Sequence, residues 1–209
     1  MDFNTGTSSD SRPRRPGEAW FDYSDPLRSF LTTFPRVLFP PRAFFRDISY
    51  RRGFVNPLIF AATCTLIGAI FSGVFGVLTR GVPGMQFLAT ETGLLFDVIY
   101  AFVYGMIGLV IITGVYHLLV LLLARANNAG LEGTFRVVSY AYAVQVLGWV
   151  PLLNVLVGLY GLYLCAFGFQ EVHSTTYQRA ATIAALPLLL LIVLGSLFGI
   201  LLGFLLSAA

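Results

Sequence analysis

An all-α, polytopic membrane protein is the fold class this sequence predicts, and three observations predict it. Of 209 residues, 57% are hydrophobic and only 11% are charged, against about 25% charged in soluble domains. A soluble fold of this size could not hide that much apolar surface. The apolar residues gather in four long blocks. Short segments of alternating polarity, the mark of a membrane β-barrel, are missing. Helices satisfy their own backbone hydrogen bonds in lipid, so they are the expected form.

The chain divides into three parts. Residues 1–24, with the run TGTSSDSRPRRPGE, are polar and turn-rich and read as a disordered cytoplasmic tail. Residues 25–53 form a basic-aromatic interfacial segment. Asp25-Pro26 supplies an N-cap and a first-turn proline. Leu27, Phe30, Leu31 and Phe34 then recur at helical spacing, and Pro35 is expected to end that helix. Pro41 opens a second short helix, in which Phe44, Phe45 and Ile48 cluster beside Arg42 and Arg46. Arg51 and Arg52 follow. Arginines beside aromatic rings suit either an anionic leaflet and a partner surface, or packing against the protein's own bundle.

Residues 54–209 hold the apolar blocks. Pro57–Leu78 and Leu94–Leu123 each read as one span. The block from Val137 to Phe169 is too long for one: as a helix it would run about 50 Å against a hydrocarbon core of about 30 Å. Proline starts helices well and disrupts their interiors. The block is therefore split at Gly148-Trp149-Val150-Pro151, giving Thr134–Trp149 and Pro151–Gln170 as arms of a hairpin. Trp149 suits the membrane–water boundary. Ala180–Leu206 completes five expected spans.

Charge orients the bundle. All basic residues are Arg, which points to a GC-rich bacterial genome and hence to the inner (plasma) membrane. With five spans, Arg12, Arg14, Arg15, Arg28, Arg36, Arg42, Arg46, Arg51, Arg52, Arg125, Arg136 and Arg179 share one side, and Arg80 lies opposite. The positive-inside rule then places the N-terminus in the cytoplasm and the C-terminus outside.

Few residues carry chemistry. Asp97, with Tyr100 and Tyr104 on its helical face, could mark an ion or proton site or simply an interfacial carboxylate. His117 fits a hydrogen bond between helices. Gln145 and Asn154 fall about one turn from the hairpin bend on either arm. They read as locks between helices, or as the wall of a polar cavity. Gly195, Gly199 and Gly203 repeat every fourth residue, a stripe suited to packing within the bundle or to a homodimer. His173 with Glu171 is a weak pair at a cytoplasmic loop. Cys64 and Cys165 read as small packed residues. Phosphate-loop, HExxH, GxSxG and dinucleotide signatures are missing. No enzyme, cofactor, metal site or nucleic-acid partner is expected; membrane lipids and a protein partner are.

Four segments, in order, carry a family resemblance: PRAFFRDI, GTFRVVSYAYAV, GWVPLLNVLVGLYGLYLCAFGFQEVH and RAATIAALP. Over about residues 40–195 the chain resembles the Yip family of Rab-GTPase-interacting membrane proteins, in its shorter prokaryotic form. The resemblance implies five transmembrane helices, a cytosolic N-terminus and no catalysis. In eukaryotes it implies vesicle trafficking and membrane organisation through prenylated Rab GTPases. The DLYGP-type motif of the eukaryotic N-terminal region does not occur here, so Rab binding is not carried over. The expected function is a non-catalytic membrane scaffold or adaptor. The alternative is a small-molecule or ion transporter with a polar path near Asp97, Gln145 and Asn154.

Overall fold

The computed structural model describes Phe21 and residues 25–48, 53–80, 82, 93–124 and 128–207. The expected disordered tail, apart from Phe21, lies outside these residues, as do Arg51 and Arg52. All regular structure among the described residues is helical: α1 (Pro26–Leu38), α2 (Pro41–Ile48), α3 (Val55–Thr79), α4 (Leu94–Leu123), α5 (Gly130–Ala141), a 3₁₀ turn (Tyr142–Val146), α6 (Pro151–Val172) and α7 (Tyr177–Ser207).

Among the described residues four helices, not five, are long and apolar enough to cross a membrane: α3, α4, α6 and α7. The fifth expected span, Thr134–Trp149, is instead the twelve-residue α5 running into the five-residue 3₁₀ turn. The reason is burial. Gly133, Thr134 and Arg136 to Ala141 are all buried, against neighbours on α3, α4 and α6. A segment wrapped in protein need not be apolar all round, and irregular backbone at membrane depth is tolerated in such a place.

Ring contacts trace its course along α3. Phe135 meets Phe54 at 5.3 Å, Tyr140 meets Phe60 at 5.1 Å, and Trp149 meets Phe71 at 5.6 Å and Phe75 at 5.8 Å. The segment thus follows most of α3. It manages this with few residues because a 3₁₀ helix rises about 2.0 Å per residue against 1.5 Å in an α-helix. The bend follows from Pro151. Val150 before it is extended (ψ 110°), and Pro151 opens α6.

Two other expectations change. Pro35 does not end α1, which continues to Leu38. In the last turn a proline forfeits one backbone hydrogen bond, and its carbonyl still accepts from the Phe39 N–H at 2.9 Å. The face expected at Leu27, Phe30, Leu31 and Phe34 is also split. Phe30 and Phe34 pack on the core, while Leu27 and Leu31 point away from it.

The core is widest at the end of the bundle where α3, α5 and α7 begin and α4 and α6 finish. This is the arginine-rich end. Phe21, Phe44, Phe45, Phe60, Leu164 and Phe169 are essentially fully buried there. Lipid tails are as apolar as these side chains, so close van der Waals packing, rather than escape from water, holds such helices together.

Candidate functional site

Two polar regions lie at opposite ends of the bundle. At the arginine end, α5 carries a buried charged anchor. Arg136 donates from Nη1 to the Ile48 carbonyl at 2.9 Å, and from Nη2 to Glu132 Oε1 at 3.0 Å. Glu132 Oε1 also accepts from the Gly53 N–H. The pair therefore clips the chain leaving α2 and entering α3 onto α5. Arg136→Met should lower stability by about 2 kcal/mol, because it leaves the buried Ile48 carbonyl without its donor and cuts the link to the part-exposed Glu132. Thermal unfolding in detergent checks this; an unchanged midpoint would count against the anchor.

Beside it runs a chain of three side chains. The Ala129 N–H donates to His173 Nδ1 at 3.1 Å. The neutral ring then carries its proton on Nε2, which lies 3.2 Å from Thr134 Oγ1. Thr134 Oγ1 in turn lies 3.2 Å from His117 Nδ1 and 3.4 Å from the Gly130 carbonyl. The hydroxyl accepts from His173 and donates onward. His173 is fully buried. Burial first, then His117 and Arg136, pull its pKa down to about 4.

An exposed groove of about 420 Å³ adjoins this end, lined by Arg42, Arg46, Gln170, Glu171, Ser174 and Thr175. Arg42 Nε donates to Glu171 Oε1 at 2.9 Å, while the Arg42 side chain stays 66% exposed. Phe44 and Phe45 do not share this exposure. Phe44 stacks edge-on against Tyr140 at 4.9 Å, and Phe45 packs beside Gly168. The rings of this motif fasten α2 to the bundle and only its arginines face outward. That is helical geometry: Arg42 and Arg46 are one turn apart on one face, and Phe44, Phe45 and Ile48 lie on the other.

At the far end, Asp97 Oδ2 lies 3.8 Å from Arg80 Nη2, tying the start of α4 to the end of α3. A cleft of about 350 Å³ opens below, between α3, α4 and the 3₁₀ turn. Its polar lining includes Thr65, Ser72, Tyr104, Tyr142 and Gln145. Gln145 and Asn154 approach each other at the hairpin tip. A Cβ on Gly148 would sit 3.4 Å from Gln145 Oε1 and 3.9 Å from Asn154 Oδ1. Asp97 and His117 occupy opposite ends of α4 and do not meet. Gly195 and Gly199 have open space where a Cβ would stand, so the bundle does not pack on these two positions; the surroundings of Gly203 lie outside the described residues.

Sequence reasoning missed Thr134 and Glu132, and did not foresee that Arg136 is buried in the protein. A lone Thr or Glu carries no local signal. Only folding brings Thr134 between histidines from two other elements. Among the described residues no group of three or more His, Cys, Asp or Glu is placed to hold a metal ion.

The long apolar helices, the buried α5 arm of the hairpin and the polar arginine end define a multi-pass helical membrane protein. The Yip1 domain family model matches residues 36–208, and the chain belongs to the Yip family. No curated protein and no solved structure matches it.

Proposed function

We propose that this Yip-family protein is a non-catalytic membrane scaffold or adaptor whose working surface is the arginine end, facing the cytoplasm. The observation that carries the reading is the contrast between interior and rim. The bundle axis is filled by Leu109, Tyr116, Tyr140, Leu164 and Phe169, all buried. The outward-facing charge gathers in the groove of Arg42, Arg46 and Glu171. Arginine on this side agrees with the positive-inside rule. Since α7 begins at the arginine end, its C-terminus then lies outside. The groove would take an anionic lipid headgroup or an acidic segment of a partner protein. Within the same reading, the open face at Gly195 and Gly199 is where a second copy would seat. A transport path near Asp97, Gln145 and Asn154 has less support. The far-end cleft reaches Thr65 and Gly108, beyond which Leu109, Tyr116 and Phe169 are packed.

Each arginine near an anionic surface contributes about 1 kcal/mol. Arg42→Gln with Arg46→Gln should therefore weaken retention of anionic lipid roughly ten- to thirtyfold. Native mass spectrometry of the purified protein reads the lipid, and proximity labelling in cells reads a protein partner. If both are unchanged in the double variant, the arginine groove is not the working surface.

A further inference from the structure

The polarity of α1 is arranged opposite to what water would select. Its buried face is Ser29, Thr33 and Val37, with Ser29 3% and Thr33 1% exposed, while Leu27 is 71% and Leu31 63% exposed. Phe39, at the corner between α1 and α2, is 83% exposed. In water this arrangement exposes large apolar groups while burying hydroxyls, one of which, Thr33 Oγ1, finds no hydrogen-bond partner.

The position of the corner explains the inversion. The Tyr160 hydroxyl donates to the Leu38 carbonyl. Tyr160 lies about 18 Å along α6 from Val172 at the arginine end, at roughly 1.5 Å per residue. A hydrocarbon core is about 30 Å thick. The corner therefore stands near mid-membrane depth, beside an apolar groove of about 390 Å³ lined by Leu38, Phe39, Val144, Leu153, Leu156 and Tyr160. That groove is continuous with the exposed apolar face of α6 at Val155, Leu156 and Leu159. From the corner α2 returns toward the arginine end, where Arg42 reaches Glu171. Arg28 and Thr32 are exposed along the edge of α1 next to the leucines. A helix running inward from the headgroups in this way can keep Arg28, near its start, at the polar boundary while its leucines stay among acyl chains.

We infer that α1 and α2 form a wedge sunk into one leaflet, the arginine-end leaflet, whose acyl chains cover Leu27, Leu31 and Phe39. The spanning helices cross both leaflets; this pair adds volume to one alone. Volume confined to one leaflet favours a membrane that is convex on that side. The protein is thus a curvature-generating element, with the arginine end on the convex face. This rests on membrane embedding alone, and holds or fails independently of what the Arg42 and Arg46 groove binds.

The test uses the full chain reconstituted with mixed phosphatidylcholine and phosphatidylglycerol. Vesicle diameter should fall as the protein-to-lipid ratio rises, and most copies should present the N-terminal tail to external protease. A nitroxide on Leu31→Cys should collide with oxygen and be shielded from a water-soluble nickel chelate, with narrow lines. The native Cys64 and Cys165 are buried and stay unlabelled. The combined variant Leu27→Ser, Leu31→Ser, Phe39→Ser, checked for unchanged helicity and elution, should return vesicles to the lipid-only diameter. Nickel access at Leu31 would mean a surface in water. Dipolar line broadening there would mean a second copy covers the face. Either result overturns the inference, as would vesicles of unchanged size with the native chain, or continued shrinkage with the folded variant. If the variant fails to fold, the native-chain vesicles and the Leu31 label still decide.

Discussion

Gly68→Val lowers the stability of the bundle by about 3 kcal/mol or more, the upper range for overpacking. A Cβ at this position would overlap the Gln145 carbonyl oxygen and stand 3.0 Å from the Gln145 carbonyl carbon. Those atoms are backbone, and they belong to the 3₁₀ turn. A flexible side chain could rotate away, but here α3 or the turn itself must move. Gly68 is thus what lets the central segment lie directly on α3. The effect reaches beyond the site, since the same contact line positions Trp149 on Phe71 and Phe75. The contrasting variants are Gly195→Ala and Gly199→Ala. Nothing lies within 4 Å of a Cβ at either position, so each should leave monomer stability within about 0.5 kcal/mol. Thermal unfolding of all three variants in one detergent makes the comparison. Equal losses at Gly68 and Gly199 would show that the close approach lies elsewhere.

Acidification provides the second large effect. His173 has a pKa of about 4 in the folded protein, against about 6.5 for an unperturbed histidine. A depressed pKa means that the unfolded chain binds the proton more readily. The stabilisation is therefore complete above about pH 6.5 and is lost as pH falls toward 4, by up to roughly 3 kcal/mol. The groups facing the ring explain the direction. The Ala129 N–H occupies Nδ1, so a second ring proton has no acceptor there. Thr134 and His117 lie on its other side, and the Arg136 charge is close enough to oppose a cation. His173→Asn keeps an oxygen acceptor for Ala129 and removes the titrating ring. In melting curves from pH 7.5 to 4, the native chain should lose stability across this window and the variant much less. Glu132 and Glu171 remain in both chains, so the difference isolates His173. Parallel curves would remove the histidine from the account.

How much of this was legible beforehand depends on how local each signal is. The span over Leu94–Leu123 is a matter of composition along one stretch, and α4 has those bounds. The hairpin bend was legible because a single proline biases both its own residue and the one before it, and α6 begins at Pro151. The glycine stripe in α7 was the clearest small-residue pattern, yet the bundle leaves Gly195 and Gly199 open and packs on Gly68. Small-residue spacing marks where helices can approach closely, while the choice of face belongs to the partner. The paired arginines and phenylalanines of α2 were equally plain. Their separation into an exposed Arg42 and buried rings of Phe44 and Phe45 required the Tyr140 and Gly168 surface to be present.

The sequence by itself determined that this chain is a helical membrane protein, where its long helices run, and on which side its arginines collect. Those properties follow from free energies of transfer and backbone hydrogen bonding, which act residue by residue along the chain. Tertiary structure decided that the least apolar hairpin arm becomes the centre of the bundle, and that Thr134 joins two distant histidines. It also turned the leucines of α1 outward. Each depends on which surface a neighbouring helix presents. A segment covered by protein is freed from the apolarity that lipid demands.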